Sequence, residues 1–344
     1  MAADIAEQPD VLARLLEPAS AGAIAGVAAA IAERRPRHVV LTARGTSDHA
    51  ALYATYLTEI RLGLPAGLAS PSAITVFGAR PDLSRALVIA VSQSGGSPDL
   101  GEVLRVARET GALTLAVTNN PDSPLATSAD LSVDVGAGHE RAVAATKTYT
   151  AELLALLMVI EGIRAGSGRL PDGERHALDA LPALAAEVLA DPTAVALAPR
   201  YRFAARVVTT GRGYAYPTAR EAALKLMETS YLAALAFSGA DLLHGPLALA
   251  DRDVPVLAVV GGGPGGAAMR EVLAKLGERR ADVVAIAPSD VDGVGARIPV
   301  PGVDERYAPL LEILPLQRLA WALAVARGED PDAPRGLHKV TSTL

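Results

Sequence analysis

An internal repeat limits the folds open to this chain more than any other feature of its sequence. "HVVLTARGTSDHAAL" begins at His38 and "RVVTTGRGYAYPTAREAAL" at Arg206, and their Arg-Gly pairs stand 168 positions apart. "LVIAVSQSGG" (87–96) matches "VLAVVGGGPG" (256–265) at an offset of 169, and "EVLRVARETGALTLAVT" (102–118) matches "EVLAKLGERRADVVAIA" (271–287) at the same offset. Three matched segments in one order imply two halves built alike.

Each half alternates short apolar runs with helical patterns. Strands are expected at 38–43, 87–92, 113–118, 206–211, 255–260 and 282–287, and helices at 47–62, 98–110, 147–165, 217–234 and 266–280. This alternation predicts an α/β fold with a parallel sheet covered on both faces. Ligands of such sheets bind outside the carboxyl ends of the strands. The expected division is an N-terminal segment 1–20, a first domain 21–165, a linker 166–185, a second domain 186–330 and a tail 331–344. With 344 residues, 50% of them hydrophobic, each domain can bury a core of its own.

Composition removes several function classes. The net charge is −6 and no basic run stands out, so a nucleic-acid partner is not expected. The absence of cysteine excludes disulfides, thiolate metal sites and a cysteine nucleophile. The opening "MAADIAEQPDVLARLLEP" lacks the apolar core of a signal peptide, and the longest uncharged stretches are shorter than a membrane span. The reading is a cytoplasmic protein with no membrane partner. Lysine occurs only at Lys147, Lys225, Lys275 and Lys339, against 28 arginines. A lysine kept in such a chain suits a task arginine cannot perform, such as losing a proton; chance retention is the alternative.

The loop "VSQSGGSPD" (91–99) follows an apolar strand and precedes a helix. Gly95 and Gly96 permit a tight turn, and Ser97 before Pro98 has the pattern of an N-cap. Free amides of a first helical turn, the helix dipole and several hydroxyls together make a phosphate site; a capped turn with no ligand is the plainer alternative. Neither G-x-S-x-G nor a P-loop pattern is present. "GGGPGG" (261–266) satisfies a dinucleotide-type glycine pattern, but Pro264 removes an amide there, and the loop is already explained as the repeat partner of the serine loop.

In "YPTAREAALKLMETSYL", Glu221, Lys225 and Glu228 fall on one helical face. The helix alone favours an exposed stripe of ion pairs. The functional alternative is a lysine held between carboxylates at a cleft, with one glutamate acting as a base. His244, followed by Gly-Pro, is expected on an irregular, exposed segment, and is a candidate proton shuttle. No metal-ligand spacing is present, so neither metal nor cofactor is expected.

The stretches "RGTSDHAAL", "VIAVSQSGGSPD", "VAATKTYTAELL", "GRGYAYPTAREAALKLMETSY", "LLHGPLALAD" and "PLQRLAWALAVARGEDPDAPRGLHKVT" occur in one order across nearly the whole chain. In these the chain resembles the sugar isomerase (SIS) domain family, in particular the isomerase half of glucosamine-6-phosphate synthase and free-standing amino-sugar-6-phosphate deaminases and isomerases. The resemblance implies two tandem SIS domains, each a parallel sheet flanked by helices in a flavodoxin-like, three-layer α/β/α arrangement, and a homodimer. It implies a small-molecule sugar 6-phosphate held by Thr46, Ser47, Ser92, Gln93, Ser94 and Ser97, with Val143 lining the sugar. Glu228 would move the proton between C1 and C2, and Glu221 and Lys225 would support it. His244 would assist ring opening across the dimer interface. Lys339 would form a Schiff base with an open-chain ketose.

Four positions depart from the family pattern: Gly96 replaces an acid, Arg141-Ala142 replaces Ile-Gly, and Leu243 replaces lysine. A glutaminase domain is absent from these 344 residues, so ammonia production from glutamine is not expected of them. The leading expectation is conversion of glucosamine 6-phosphate to fructose 6-phosphate and ammonia. The alternatives are a dehydratase acting on N-acetylglucosamine 6-phosphate, a deglycase of sugar-phosphate amine adducts, and a non-catalytic sugar-phosphate-binding regulator.

Overall fold

The computed structural model describes residues 1–339. Each half of the repeat forms a five-stranded, all-parallel sheet. The first holds β1 (His38–Thr42), β2 (Ala66–Leu68), β3 (Ala86–Ser92), β4 (Leu113–Thr118) and β5 (Leu131–Asp134), in the order β2-β1-β3-β4-β5. The second holds β6 (Arg206–Gly211), β7 (Ala233–Ser238), β8 (Pro255–Val259), β9 (Asp282–Ala287) and β10 (Ala296–Pro299), in the order β10-β9-β8-β6-β7. Counted within its own half, each sheet has the winding 2-1-3-4-5. Both are parallel α/β sheets of the expected kind.

The chain divides into two compact units. One comprises Asp10–Glu140, Lys147–Ala180, His338 and Lys339, and holds the first sheet; the other comprises Met1–Pro9, Arg141–Thr146 and Leu181–Leu337, and holds the second. Residues 1–9 and 141–146 therefore pack with the second sheet although they lie in the first half of the chain. Within that unit the Asp4 carboxylate accepts hydrogen bonds from the Arg141 and Ala142 amides at 3.1 and 3.0 Å. Ala142 is buried against Met1 and Ile5, and Gln8 donates to Gln317 at 2.8 Å. The stretch 166–185 is partly helical, containing Asp172–Asp179 and the first turn of Leu181–Ala190.

Every residue of β3 and of β8 is buried, because helices cover both faces of each sheet. In the first unit Val88, Ala90 and Ala116 pack with Leu100, Val103 and Leu104 of the helix Pro98–Glu109. In the second, Val256, Ala258 and Ala285 pack with Met269, Val272 and Leu276 of the helix Pro264–Glu278. The expected helix 217–234 ends earlier, at Ser230, because Tyr231 takes a left-handed backbone conformation (φ 53°) and the chain turns into β7. The helix Ala308–Ala326 is long and apolar enough by composition to cross a membrane, as is the run Asp172–Tyr201; most of the first is buried.

Glu312 lies inside that buried helix with almost no exposed surface. Burial, reinforced by the nearby Glu305 charge, pushes its carboxyl up from 4.5 to about 8. The folded protein thus holds this proton more tightly than the unfolded chain does. Its stabilising effect is complete below the unfolded value and is lost as pH rises through the folded one. Glu312→Gln removes this titration. Its melting temperature relative to the parent should rise by a few degrees between about pH 6 and about pH 9. Parallel melting curves that keep a constant offset across that range would refute a neutral, buried Glu312.

Candidate active site

The serine loop leaves β3 at the centre of the first sheet and enters the helix Pro98–Glu109. Its turn is set by Gly95, whose φ is +62° and where an added Cβ would lie 2.0 Å from Ser123 Oγ. Gly96 differs: a Cβ there would meet only Ser94 Oγ, at 3.6 Å, so the backbone does not demand glycine. The Gly95 amide donates to Ser92 Oγ and the Gly96 amide to Ser94 Oγ, each at 3.2 Å. Ser97 occupies the N-cap position with an extended backbone, but its hydroxyl makes no cap bond. Among the described residues, the hydroxyl protons of Ser92, Ser94 and Ser97 find no protein acceptor, which leaves three donors beside a helix N-terminus.

A neighbouring loop carries Thr46 and Ser47, in the first turn of the helix Gly45–Leu57 after β1. Arg44 and Asp99 tie the two loops together: Arg44 Nε donates to Asp99 Oδ2 at 2.8 Å, Nη2 lies 2.7 Å from the same oxygen in an ion pair, and Asp99 is 1% exposed. Thr46 is half-buried, and Ser47 is buried and donates to Glu152 at 2.8 Å. Gln93 Nε2 donates to Glu140 at 3.1 Å. Glu140 is itself buried and also accepts from the Lys147 and Thr148 amides, so it caps the helix Lys147–Ala165. Lys147 is buried as well, and its ammonium donates to the His139 carbonyl at 2.8 Å. Sequence reasoning missed Glu140, Glu152 and the Arg44–Asp99 pair. A glutamate shortly before a helix was the one available signal for Glu140.

In the second unit, Glu221, Lys225 and Glu228 meet on the helix Ala215–Ser230 as a buried triad. The expected exposed stripe is therefore wrong. Lys225 Nζ lies 3.3 Å from Glu221 Oε1 and is hydrogen-bonded to Glu228 Oε2. The side chains of Lys225 and Glu221 are fully buried, whereas that of Glu228 is 21% exposed. Burial alone pulls the lysine down, but the two carboxylates outweigh it and hold the ammonium above its ordinary value. The triad is a cation clamped by two anions, with Glu228 as the end that solvent reaches.

The remaining expected residues fall as follows. His244 is exposed, caps the short helix Gly239–Leu243 and belongs to the same unit as the triad. Val143 is half-buried in that unit, and its amide donates to the Asp332 carbonyl at 3.3 Å. Lys339 is exposed at the end of the described residues and is assigned to the unit of the first sheet. Just before it, the Arg335 amide donates to the Tyr231 hydroxyl at 2.7 Å, and its guanidinium stacks 4.1 Å from the Tyr231 ring centre. The tail is thereby fastened at the carboxyl end of the triad helix.

The glycine loop 261–266 repeats the position of the serine loop but is filled from within. The Gly265 and Gly266 amides donate to the Glu305 carboxylate at 3.2 and 3.0 Å. A Cβ at Gly263 or Gly265 would come within 2.6 Å of that carboxylate. The glycines admit an internal anion, and a dinucleotide reading has no support here.

A SIS domain family model matches residues 34–162 and 201–294. The chain belongs to the SIS domain family. A glutamine–fructose-6-phosphate aminotransferase (isomerizing) of Gloeobacter violaceus is 35% identical over 356 residues, which take in 98% of this chain and 58% of that relative. The chain thus spans less than two thirds of the length of that relative. A crystal structure from Silicibacter pomeroyi DSS-3, provisionally assigned as a phosphosugar isomerase, superposes with a TM-score of 0.85 at 37% identity, covering 96% of this chain and 99% of the other. The glucosamine-6-phosphate deaminase of Thermotoga maritima shares the fold, with a TM-score of 0.79 at 22% identity, covering 99% of this chain and 98% of the other. These likenesses put the chain among the sugar-phosphate enzymes of the family.

Two mutational contrasts follow from this geometry. Gly95→Ala should destabilise by about 1–3 kcal/mol, while Gly96→Ala stays within about 0.5 kcal/mol of the parent. Chemical denaturation checks both, and equal costs would contradict the loop geometry. Lys225→Met leaves the sealed Glu221 carboxylate, and the partly exposed Glu228, without their cation and should cost about 3–5 kcal/mol. An unchanged denaturation midpoint for that variant would show that the triad is not buried.

Proposed function

We propose that this SIS-family enzyme is an amino-sugar-6-phosphate isomerase that runs as a cytoplasmic deaminase, converting glucosamine 6-phosphate and water to fructose 6-phosphate and ammonia. The observation that carries the reading is the buried triad whose one solvent-reaching member is Glu228. A carboxylate at the edge of a buried charge cluster suits a base that takes a proton from carbon. The serine loop supports the substrate class, since Ser92, Ser94 and Ser97 offer hydroxyl donors at a helix N-terminus, where a phosphate is stabilised.

In this reading Thr46, Ser92, Ser94 and Ser97 hold the 6-phosphate, the Ser47 oxygen and Gln93 border it, and Val143 lines the sugar. His244 assists ring opening and is contributed across the interface of a homodimer. Glu228 removes the proton from C2 of the open-chain aldose and returns one to C1. The amine on C2 becomes an imine, and water attacks that carbon to release ammonia and leave the ketose. Glu221 and Lys225 fix the position of Glu228. Lys339 forms a transient imine with the ketose.

The test is release of ammonia and fructose 6-phosphate from glucosamine 6-phosphate. Glu228→Gln should lower turnover by about 10²–10⁴ while binding of a hexose 6-phosphate persists. No ammonia from the parent enzyme would refute the deaminase. Loss of one water from N-acetylglucosamine 6-phosphate, read by mass, would establish the dehydratase in its place. Lys339→Arg keeps the charge but cannot form an imine, so undiminished turnover in that variant would exclude covalent catalysis by the tail.

A further inference from the structure

The amino-terminal edge of the first sheet carries a cleft that this reading does not use. Its volume is about 830 Å³, and its lining comes from the segments that lead into β1, β3 and β4 and from the end of the helix Pro98–Glu109. Six arginines line it, against Glu109 and Asp130 as the carboxylates. Those carboxylates are already engaged: Arg105 and Arg80 hold Glu109, and Arg108 holds Asp130 at 3.2 Å. The side chains of the other four, Arg34, Arg35, Arg37 and Arg85, make no hydrogen bond or ion pair among the described residues.

A helix carboxyl end accounts for one of these four. Arg34 closes the helix Pro18–Arg34, and a cation there offsets the helix dipole. Arg37 and Arg85 have no such reason. The Arg37 amide donates to the Arg85 carbonyl at 2.9 Å, immediately before the paired positions His38 and Ala86 of β1 and β3. Two cations are thus fixed side by side at neighbouring strand entries, an arrangement that repels. Arg35 is held in a left-handed conformation (φ 49°), where a non-glycine residue is disfavoured. Like-charged groups gathered in a cleft without counter-charge focus a positive potential, and guanidinium forks match phosphoryl oxygens.

We propose that this cleft is a binding site for a compact metabolite bearing two or more phosphoryl groups, separate from the serine loop. The seven-residue strand β3 lies between the two places, so they are about 20 Å apart. The cleft volume is of the size that small-molecule ligands occupy. The sequence run "RRPR" (34–37) meets Arg85 only in the folded sheet.

Calorimetric titration of the full chain with inorganic tripolyphosphate tests the site, with inorganic phosphate and a single-stranded oligonucleotide as the other arms. Tripolyphosphate should bind more tightly than phosphate and weaken as salt is raised. The double variant Arg37→Gln, Arg85→Gln should lose at least tenfold in affinity for it. Ser94→Ala, Ser97→Ala should retain tripolyphosphate binding, which separates this site from the serine loop. The arginine variant should also melt no lower than the parent, since its change relieves repulsion; this keeps a binding loss distinct from misfolding. Equal affinity of the parent and the arginine variant would overturn the proposal. So would an oligonucleotide that binds more tightly than tripolyphosphate through the same arginines, which would assign the cleft to a nucleic acid.

Discussion

The strand order 2-1-3-4-5 is the constraint on which the rest of this architecture depends. In each sheet the chain goes from its first strand to one side, and then returns to the other side for its third. The loops leaving those two neighbouring strands therefore diverge, and they open a crevice at the carboxyl edge. Parallel pairing also makes every connection a crossover, so helix N-termini point to the same edge. The two halves use this shared opening differently. In the first, Arg44 and Asp99 brace the loops and the serine hydroxyls keep their donors. In the second, Glu305 fills the equivalent helix start from inside. One repeat thus keeps serine hydroxyls at its helix start, and the other has filled the equivalent position with its own carboxylate.

The central strands were legible in the sequence and the edges were not. All six expected strands lie in the interiors of the two sheets. The four missed ones, β2, β5, β7 and β10, are the four edges. An interior strand is buried on both faces and reads as a continuous apolar run, as "LVIAV" does. An edge strand such as β2, only three residues long and nowhere fully buried, leaves no such trace. The same logic divides the polar residues. Glu221, Lys225 and Glu228 share one helix, so their spacing was visible, whereas their burial was not, because it comes from packing against the helix Ala308–Ala326. Ser47 pairs with Glu152 across 105 positions, and Gln93 with Glu140 across 47. No local pattern encodes contacts of that range.

The lysine at 225 shows why residue type matters inside such a cluster. The chain uses arginine for nearly all its cations, yet here it keeps lysine. Scarcity raised the idea of a lysine that sheds its proton, but the surroundings point the other way. Glu221 and Glu228 hold the ammonium charged against the pull of burial. What lysine supplies is a compact point charge that fits between two carboxylates about one turn to either side of it on one helix, where a planar guanidinium has a different shape and donor geometry. Two carboxylates around one ammonium leave the cluster with one excess negative charge. Glu221 is sealed in the interior, so that excess is available to solvent only at Glu228. A buried cation thus positions a partly exposed carboxylate without fully neutralising the cluster. That division of labour, one carboxylate sealed and one reachable, lets a largely buried helix present a carboxylate at its exposed edge.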